Sequence, residues 1–497
     1  MHRSSLAGLF VSILLVPCLL AAQPAAPKEI VTRHTLEIGG KALHYRAVAG
    51  ETLLKDGKGT PKASVFSTSY LLDGVDDPSR RPITFFFNGG PGSSSAWLHL
   101  GAFGPVRLDL GPDPLNAGSP PYPLRPNPYS LLDVTDLVFV DPIGTGYSRA
   151  LGDGKASDYW GVDEDSASMA EFIRSYLTRN RRWSSPKYLA GESYGTTRVS
   201  LLVRDLSLDL LDSVQFNGVI LLSTALDVRI FLSGAPSNDI AYVTGLPTYA
   251  ATAYYHNQLP EKPADFEAFL AEARQFAGNE YLTALFRGDS LTEAETASVA
   301  AKLHHFTGLS EAYLRRSHLR VPANHFVKEL LRDRGEILGE HDTRFRGKDP
   351  DEAGERVAWD PFVFGIAGPF VTAINSYLTD DLKVDMGQPY EVFAEQAGAL
   401  WKRPGDQQGL FSGFLDTTGY LAQAAATNKD FRIFSASGYY DLTTTFYGVE
   451  YTFNHSGIPR DRITLKDYPG GHMMYLREES LAALSADIRA FIRKGGT

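Results

Sequence analysis

Residues 191–195 read Gly-Glu-Ser-Tyr-Gly. A serine hydroxyl is a poor nucleophile at neutral pH; it needs a neutral imidazole to take its proton and a carboxylate to orient that imidazole. A set of that kind performs acyl transfer through a covalent intermediate. The surroundings of Ser193 suit the role. Tyr188-Leu189-Ala190 precede it as a buried strand would, and Val199, Leu201, Leu202 and Val203 follow in a run that reads as a helix. Glycines two residues either side permit the strained strand-to-helix turn that pushes a hydroxyl into the open.

On hydrolase folds built around such a turn, the acid follows the serine and the histidine comes last. His256, His304, His305, His318, His325 and His341 fall in an Ala-rich stretch, where packing or surface roles are expected. His455 ends a helical run just before Gly457, a position where a cation complements the helix dipole. His472 differs: it follows a strand through Pro469-Gly470-Gly471 and precedes the last helix, so it is the expected base. For the acid, "SASGYYD" puts Asp441 just beyond the preceding strand, although an aspartate there could equally cap the next helix. Asp467 is a second candidate, within the strand leading to His472 and expected to be exposed; Asp441 is preferred. An oxyanion hole needs two backbone N–H donors. Tyr194, directly after the nucleophile, supplies one, and "FFFNGGPGSSS" offers the other, where Gly89 and Gly90 let backbone approach a substrate and Pro91 stiffens the loop.

The elements that must carry these groups alternate. Short alternating runs from about Ile30 to Leu72 read as antiparallel strands with a tight turn at Gly39-Gly40. "PITFFFNGG", "DLVFVDPIG", "KYLAGES" and "FNGVILLSTA" read as fully buried strands, and "DEDSASMAEFIRSYLTRN" as a helix between the second and third. After about Asp227 the pattern turns helical, with no clear buried strand, and strands resume at "DFRIFSASGYYD" and "RITLKDYPGGH". The expected fold is α/β: a doubly wound, mostly parallel sheet formed by residues 30–230 and 426–497, with a mainly helical cap inserted over 231–425. Ligands of open α/β sheets sit at the carboxyl ends of the strands, where each candidate above falls.

Composition narrows the classes. With 497 residues, 43% apolar and 21% charged, the chain can build a large core, and a formal net charge of −10 argues against nucleic acid as a partner. The start, "MHRSSLAGLFVSILLVPCLLAAQPAAP", has the basic, apolar and small-residue regions of a signal peptide over residues 1–22, which predicts export to a periplasm or the medium. Cys18 is the only cysteine, so the exported chain would hold no disulfide and no thiol nucleophile. No further segment reads as a membrane span. No cofactor or metal is expected; the cap histidines lack ligand spacing alongside carboxylates.

Taken together, "NGGPGSSS" with "GAFGP", "NPYSLLDVTDLVFVDPIGTGYS", "GESYG", "SGYYD" and "GGHMMY" occur in the order found in the serine carboxypeptidase family, which the chain resembles as an exported bacterial member. The resemblance implies an α/β-hydrolase fold with an inserted helical domain and removal of C-terminal residues from peptides. It implies Ser193 as nucleophile, Asp441 as orienting acid and His472 as base, with Gly90 and Tyr194 donating the oxyanion hydrogen bonds. Asn88, Gly89 and Glu192 match positions that hold the substrate's terminal carboxylate, so the implied partners are peptides with free C-termini. Ser93 stands where many members have a disulfide cysteine, and Ala102 where many have a second carboxylate-binding glutamate; His99 is close by in sequence. The competing readings are a secreted esterase or acyltransferase using the same triad, and a binding protein on a hydrolase fold.

Overall fold

The computed structural model describes residues 27–111, 117–231, 237–402 and 415–495; the expected signal peptide lies outside them. Strand β1 (Glu29–Ile38) turns back through Gly39 and Gly40, at φ 57° and 76°, into β2 (Lys41–Lys55). Two successive positive φ angles are what a two-residue hairpin turn requires, and glycine adopts them without a Cβ clash. β3 (Pro61–Leu72) extends this antiparallel ribbon.

The next strands, β4 (Ile83–Phe87), β5 (Asp136–Val140), β6 (Lys187–Glu192) and β7 (Gly218–Leu222), are mostly apolar and buried at every residue. β8 (Arg432–Gly438) and β9 (Ile463–Tyr468) complete the row. The spatial order is β1-β2-β3-β5-β4-β6-β7-β8-β9, with a short strand Arg149–Ala150 paired to β3. Every pairing from β5 to β9 is parallel.

Strand side chains alternate between faces. Phe86, Tyr188, Ala190, Ile220 and Leu222 enter one core, while Phe85, Phe87, Leu189, Val219 and Leu221 enter the other. Helices α1 (Val162–Arg179) and α2 (Tyr194–Leu202) cover the second face through Phe172, Ile173, Val199 and Leu202. Such crossovers put apolar surface on both sides of a parallel sheet, so its strands carry no polar stripe.

Between β7 and β8 the described chain is mainly helical. α3 (Asp239–Tyr255), α4 (Phe266–Phe276) and α5 (Glu293–Thr307) share an apolar core of their own. α6 (Pro361–Ser376) instead sends Phe362, Ile366, Phe370 and Ile374 into the core beneath the sheet. Two expectations need correction. A hairpin pairs Glu336–Leu338 with Arg346–Lys348, strands too short to produce a period-two signal in the sequence. The stretch Pro361–Asp381 is also long and apolar enough to span a bilayer, with a mean hydropathy of 1.3, although 44% of it is buried inside the protein; Pro369 and the glycines around it hid its length. After β8 come α7 (Phe446–Asn454) and α8 (Glu478–Gly495), the latter packing Leu481, Leu484, Ile488 and Ile492 on the face opposite α1.

Candidate active site

At the end of β6 the backbone of Ser193 takes φ 57° and ψ −130°, a region that disfavours any residue with a Cβ. The flanking glycines make the turn possible by close approach. A Cβ on Gly191 would lie 2.2 Å from the Gly195 carbonyl oxygen, and one on Gly195 would lie 2.4 Å from that of Phe87. The Ser193 N–H donates to Leu222 O at 3.0 Å, which ties the turn to the end of β7.

Beyond β8, Asp441 is fully buried and surrounded by donors. Its Oδ1 accepts the N–H groups of Thr443 and Thr444 at 2.8 and 3.0 Å, and its Oδ2 accepts the Thr444 hydroxyl at 2.5 Å and faces His472 Nδ1 at 2.8 Å. Asp441 does not cap the following helix, whose N-cap is Thr445. His472 is 3% exposed. Burial works against its charged form, but the charge and hydrogen bond of Asp441, with Glu192 adding, raise its pKa above the ordinary histidine value. The Ser223 hydroxyl donates to His472 O at 2.6 Å, so Leu222 and Ser223 link the serine turn to the histidine loop. Among the described residues no hydrogen bond joins the Ser193 hydroxyl to the ring; in unliganded sites that contact commonly tightens only around substrate.

Asp467 is half-buried rather than exposed, because α4 and α7 cover it, and its partner is Arg274 at 3.4 Å. Burial lifts its carboxyl to about 7, helped by Glu450 and opposed by Arg274.

The loop after β4 lies against the serine turn at backbone distance. A Cβ on Gly89 would sit 2.6 Å from Tyr194 N and 2.9 Å from Ser193 Cβ, while Gly90 and Gly92 take φ 100° and 106°. The segments carrying the N–H groups of Gly90 and Tyr194 are therefore in contact. The insertion braces this loop: Ser94 N–H donates to Val392 O at 3.0 Å, and Ala394 N–H to Gly92 O at 2.8 Å. Below it, buried Asp141 accepts Ser95 N–H at 2.9 Å and the Tyr390 hydroxyl at 3.0 Å, and burial raises its carboxyl to about 7.

Glu192, next to the serine, is 2% exposed and accepts the Tyr475 hydroxyl at 2.5 Å. Burial pushes its pKa up to about 7 against the opposing pull of His472, Tyr475 and Asn88. The Asn88 carbonyl oxygen takes Leu98 N–H at 2.9 Å. Its amide nitrogen is buried without a hydrogen-bond partner, yet lies near enough to bear on the charges of Glu192 and Tyr475. A carboxyl that can hold a proton at neutral pH and an unused amide donor thus share one buried corner beside Ser193.

A family model for serine carboxypeptidase matches residues 68–240. Residues 68–240 are thus similar to serine carboxypeptidases. Similar proteins include serine carboxypeptidase-like 20 of Arabidopsis thaliana, 31% identical over 27% of each chain, and serine carboxypeptidase 1 of Hordeum vulgare, 28% identical over 27% of this chain and 26% of that one. The chain thus spans about a quarter of the length of these relatives in alignment. Among solved structures, that of Kex1(delta)p, a prohormone-processing carboxypeptidase from Saccharomyces cerevisiae, aligns with a TM-score of 0.57 at 16% identity, covering 90% of this chain and 91% of that one. The likeness carries the α/β-hydrolase fold.

Several residues near the site have no part in the sequence-based expectations. Tyr475, present there only as a letter of a motif, donates to Glu192. Arg198, fully buried, pairs with Asp165 at 2.7 Å and donates to Asn88 O at 2.6 Å, fixing the loop that bears Asn88. His341, assigned above to the cap, sets its ring edge-on to His472 with centroids 5.2 Å apart. His99 is committed to the core: it meets the Tyr70 hydroxyl at 2.5 Å, stacks on Phe139, and is pushed down to about 3 by burial. Ala102 is buried beside it in sequence, its carbonyl accepting from Asn127 at 2.8 Å. No group of three or more His, Cys, Asp or Glu side chains suited to a metal occurs among the described residues.

Proposed function

We propose that this protein is a serine-type carboxypeptidase that releases C-terminal residues from peptides through an acyl-enzyme. Ser193 attacks the last peptide carbonyl while His472 takes its proton; Asp441 holds the imidazole in the tautomer that leaves Nε2 free and stabilises the cation that forms. The N–H groups of Gly90 and Tyr194 stabilise the tetrahedral oxyanion. His472 then protonates the departing amine, and water attacks the acyl-enzyme by the same route.

The observation that carries the reading is the buried Glu192, raised to about 7 beside Tyr475 and the unpartnered Asn88 amide. A protonated Glu192 carboxyl and the Asn88 amide can both donate to a terminal carboxylate, with the Gly89 backbone packed against the serine turn beside them. Two carboxylates cannot share such a corner unless one is protonated. Binding of a free C-terminus is therefore expected to weaken as pH rises through about 7 and Glu192 loses its proton. The acid side is set by His472, which must be neutral to act as base.

The test compares one peptide with its C-terminal amide across pH. The free acid should be cleaved with a kcat/KM that declines on the alkaline side, and the amide should be cleaved far more slowly. Equal cleavage of both forms would overturn the carboxypeptidase reading. Turnover of a short acyl ester with no turnover of the free peptide would instead identify an esterase using the same triad.

A further inference from the structure

The loops that carry Asp441 and His472 leave neighbouring strands, and both are gripped by one segment of the insertion, Glu340–Arg344. On the acid side, Leu442 N–H donates to Glu340 O at 3.1 Å and Thr343 N–H to Tyr440 O at 3.0 Å. On the base side, His472 N–H donates to His341 O at 2.6 Å and Gly471 N–H to Asp342 Oδ2 at 3.1 Å. Arg344 Nη1 donates to Pro469 O at 2.9 Å.

Asp342 and Arg344 form a buried pair, their side chains 2% and 4% exposed. Arg344 Nη2 meets Asp342 Oδ2 at 2.6 Å and its Nε meets Oδ1 at 2.9 Å, while the Arg344 N–H also donates to Oδ1 at 3.1 Å. The guanidinium lies 5.1 Å from the centre of the Tyr440 ring. The contact explains a glycine in the sequence: a Cβ on Gly471 would fall 2.3 Å from Asp342 Cβ. Gly470-Gly471 is a mobile dipeptide in isolation, so something outside the loop must set the direction of the imidazole.

We propose that Asp342, locked in place by Arg344, is a positioning residue for His472. It holds the Pro469–His472 loop at the height where the ring meets Asp441 with one nitrogen and turns the other toward Ser193. The inference rests on the reading of His472 as the catalytic base. It gives the inserted segment a part in the chemistry that covering a substrate would not require.

The experiment uses the full chain with Asp342→Ala/Arg344→Met, which removes both charges together and leaves neither buried alone, and with Asp342→Asn, which keeps an acceptor oxygen for Gly471 N–H. Folding is checked by circular dichroism. For the folded variants, kcat and KM are measured per active site, titrated with a fluorophosphonate, together with the rate constant for labelling Ser193. The double variant should lose about a hundredfold in kcat and in labelling rate with KM nearly unchanged, the loss expected when a reacting group shifts by about an ångström. Asp342→Asn should recover part of that loss. A double variant that folds and keeps kcat within about threefold, or whose loss falls on KM alone, overturns the proposal. Should the double variant fail to fold, Asp342→Asn decides: reduced kcat at unchanged KM supports the proposal, and unchanged kcat overturns it. Ser193→Ala and His472→Ala in parallel separate the two levels, because undiminished activity in those would remove the catalytic reading itself.

Discussion

The two rims of the site are built by different physics. On the nucleophile rim, the loop after β4 and the turn after β6 touch through missing side chains: Gly89, Gly191 and Gly195 each leave no room for a Cβ against neighbouring backbone. On the base rim, the loops after β8 and β9 are held by side-chain and backbone hydrogen bonds to a segment far away in sequence, Glu340–Arg344. Steric exclusion dominates the first rim, which the insertion braces only at its outer loop through Val392 and Ala394; polar contacts to the insertion dominate the second. The difference also follows the family match, since residues 68–240 contain Asn88 and Ser193 but neither Asp441 nor His472. The base rim is thus the side whose geometry depends more on the insertion.

Substitutions on each rim test that contrast. The largest effect belongs to Ser193→Ala, expected to lower kcat by about a million-fold while the fold survives, as read by active-site labelling and circular dichroism. On the opposite rim, Asp441→Asn should cost about ten-thousand-fold in kcat, because an amide opposite Nδ1 favours the wrong imidazole tautomer. Asp141 separates stability from chemistry. Its carboxyl titrates at about 7 in the fold against 3.8 ordinarily. The unfolded chain therefore gives up this proton first, and stability is fully present below about 4 and lost as pH rises through about 7. Asp141→Asn should flatten that dependence, so urea unfolding between pH 5 and 7 should show the variant gaining on wild type by about 1 kcal/mol per pH unit, with the gain levelling off above about 7. A parallel decline in both proteins would refute the assignment. The smallest change is expected for Glu192→Gln, a neutral donor at every pH: kcat/KM for a free peptide should fall by about tenfold at pH 6 and lose its alkaline decline, so that the two enzymes converge near pH 9. Retention of the wild-type alkaline limb would assign it to another group.

The unequal legibility of the sequence follows from the same contrast. The strands around Ser193 were readable because each is a short run with an apolar centre, and the turn because glycine spacing is a local requirement. His472 and Asp441 could be chosen by their places after strands, and the structure joins them at 2.8 Å. Their support could not be read. Asp342 and Arg344 are one charged pair among many in a helical stretch, and nothing local distinguishes a buried pair from a surface one. Arg198 is similar, an arginine on a helix whose full burial shows only once Asp165 stands opposite it. The Glu336–Leu338 hairpin was missed because three residues carry no period, and Asp467 looked exposed because its cover comes from α4 and α7.

β7 and β8 are adjacent in the sheet, in register from Gly218↔Arg432 to Leu222↔Ala436, yet roughly 200 residues of chain separate them. During synthesis the growing sheet must wait, with an unpaired apolar margin, until the far side of the insertion has emerged. The strands preceding Asp441 and His472 are the last to join, so the proposed triad is completed only at the end of assembly. A chain interrupted within the insertion would retain Ser193 and an open strand edge, the form most prone to associate with copies of itself.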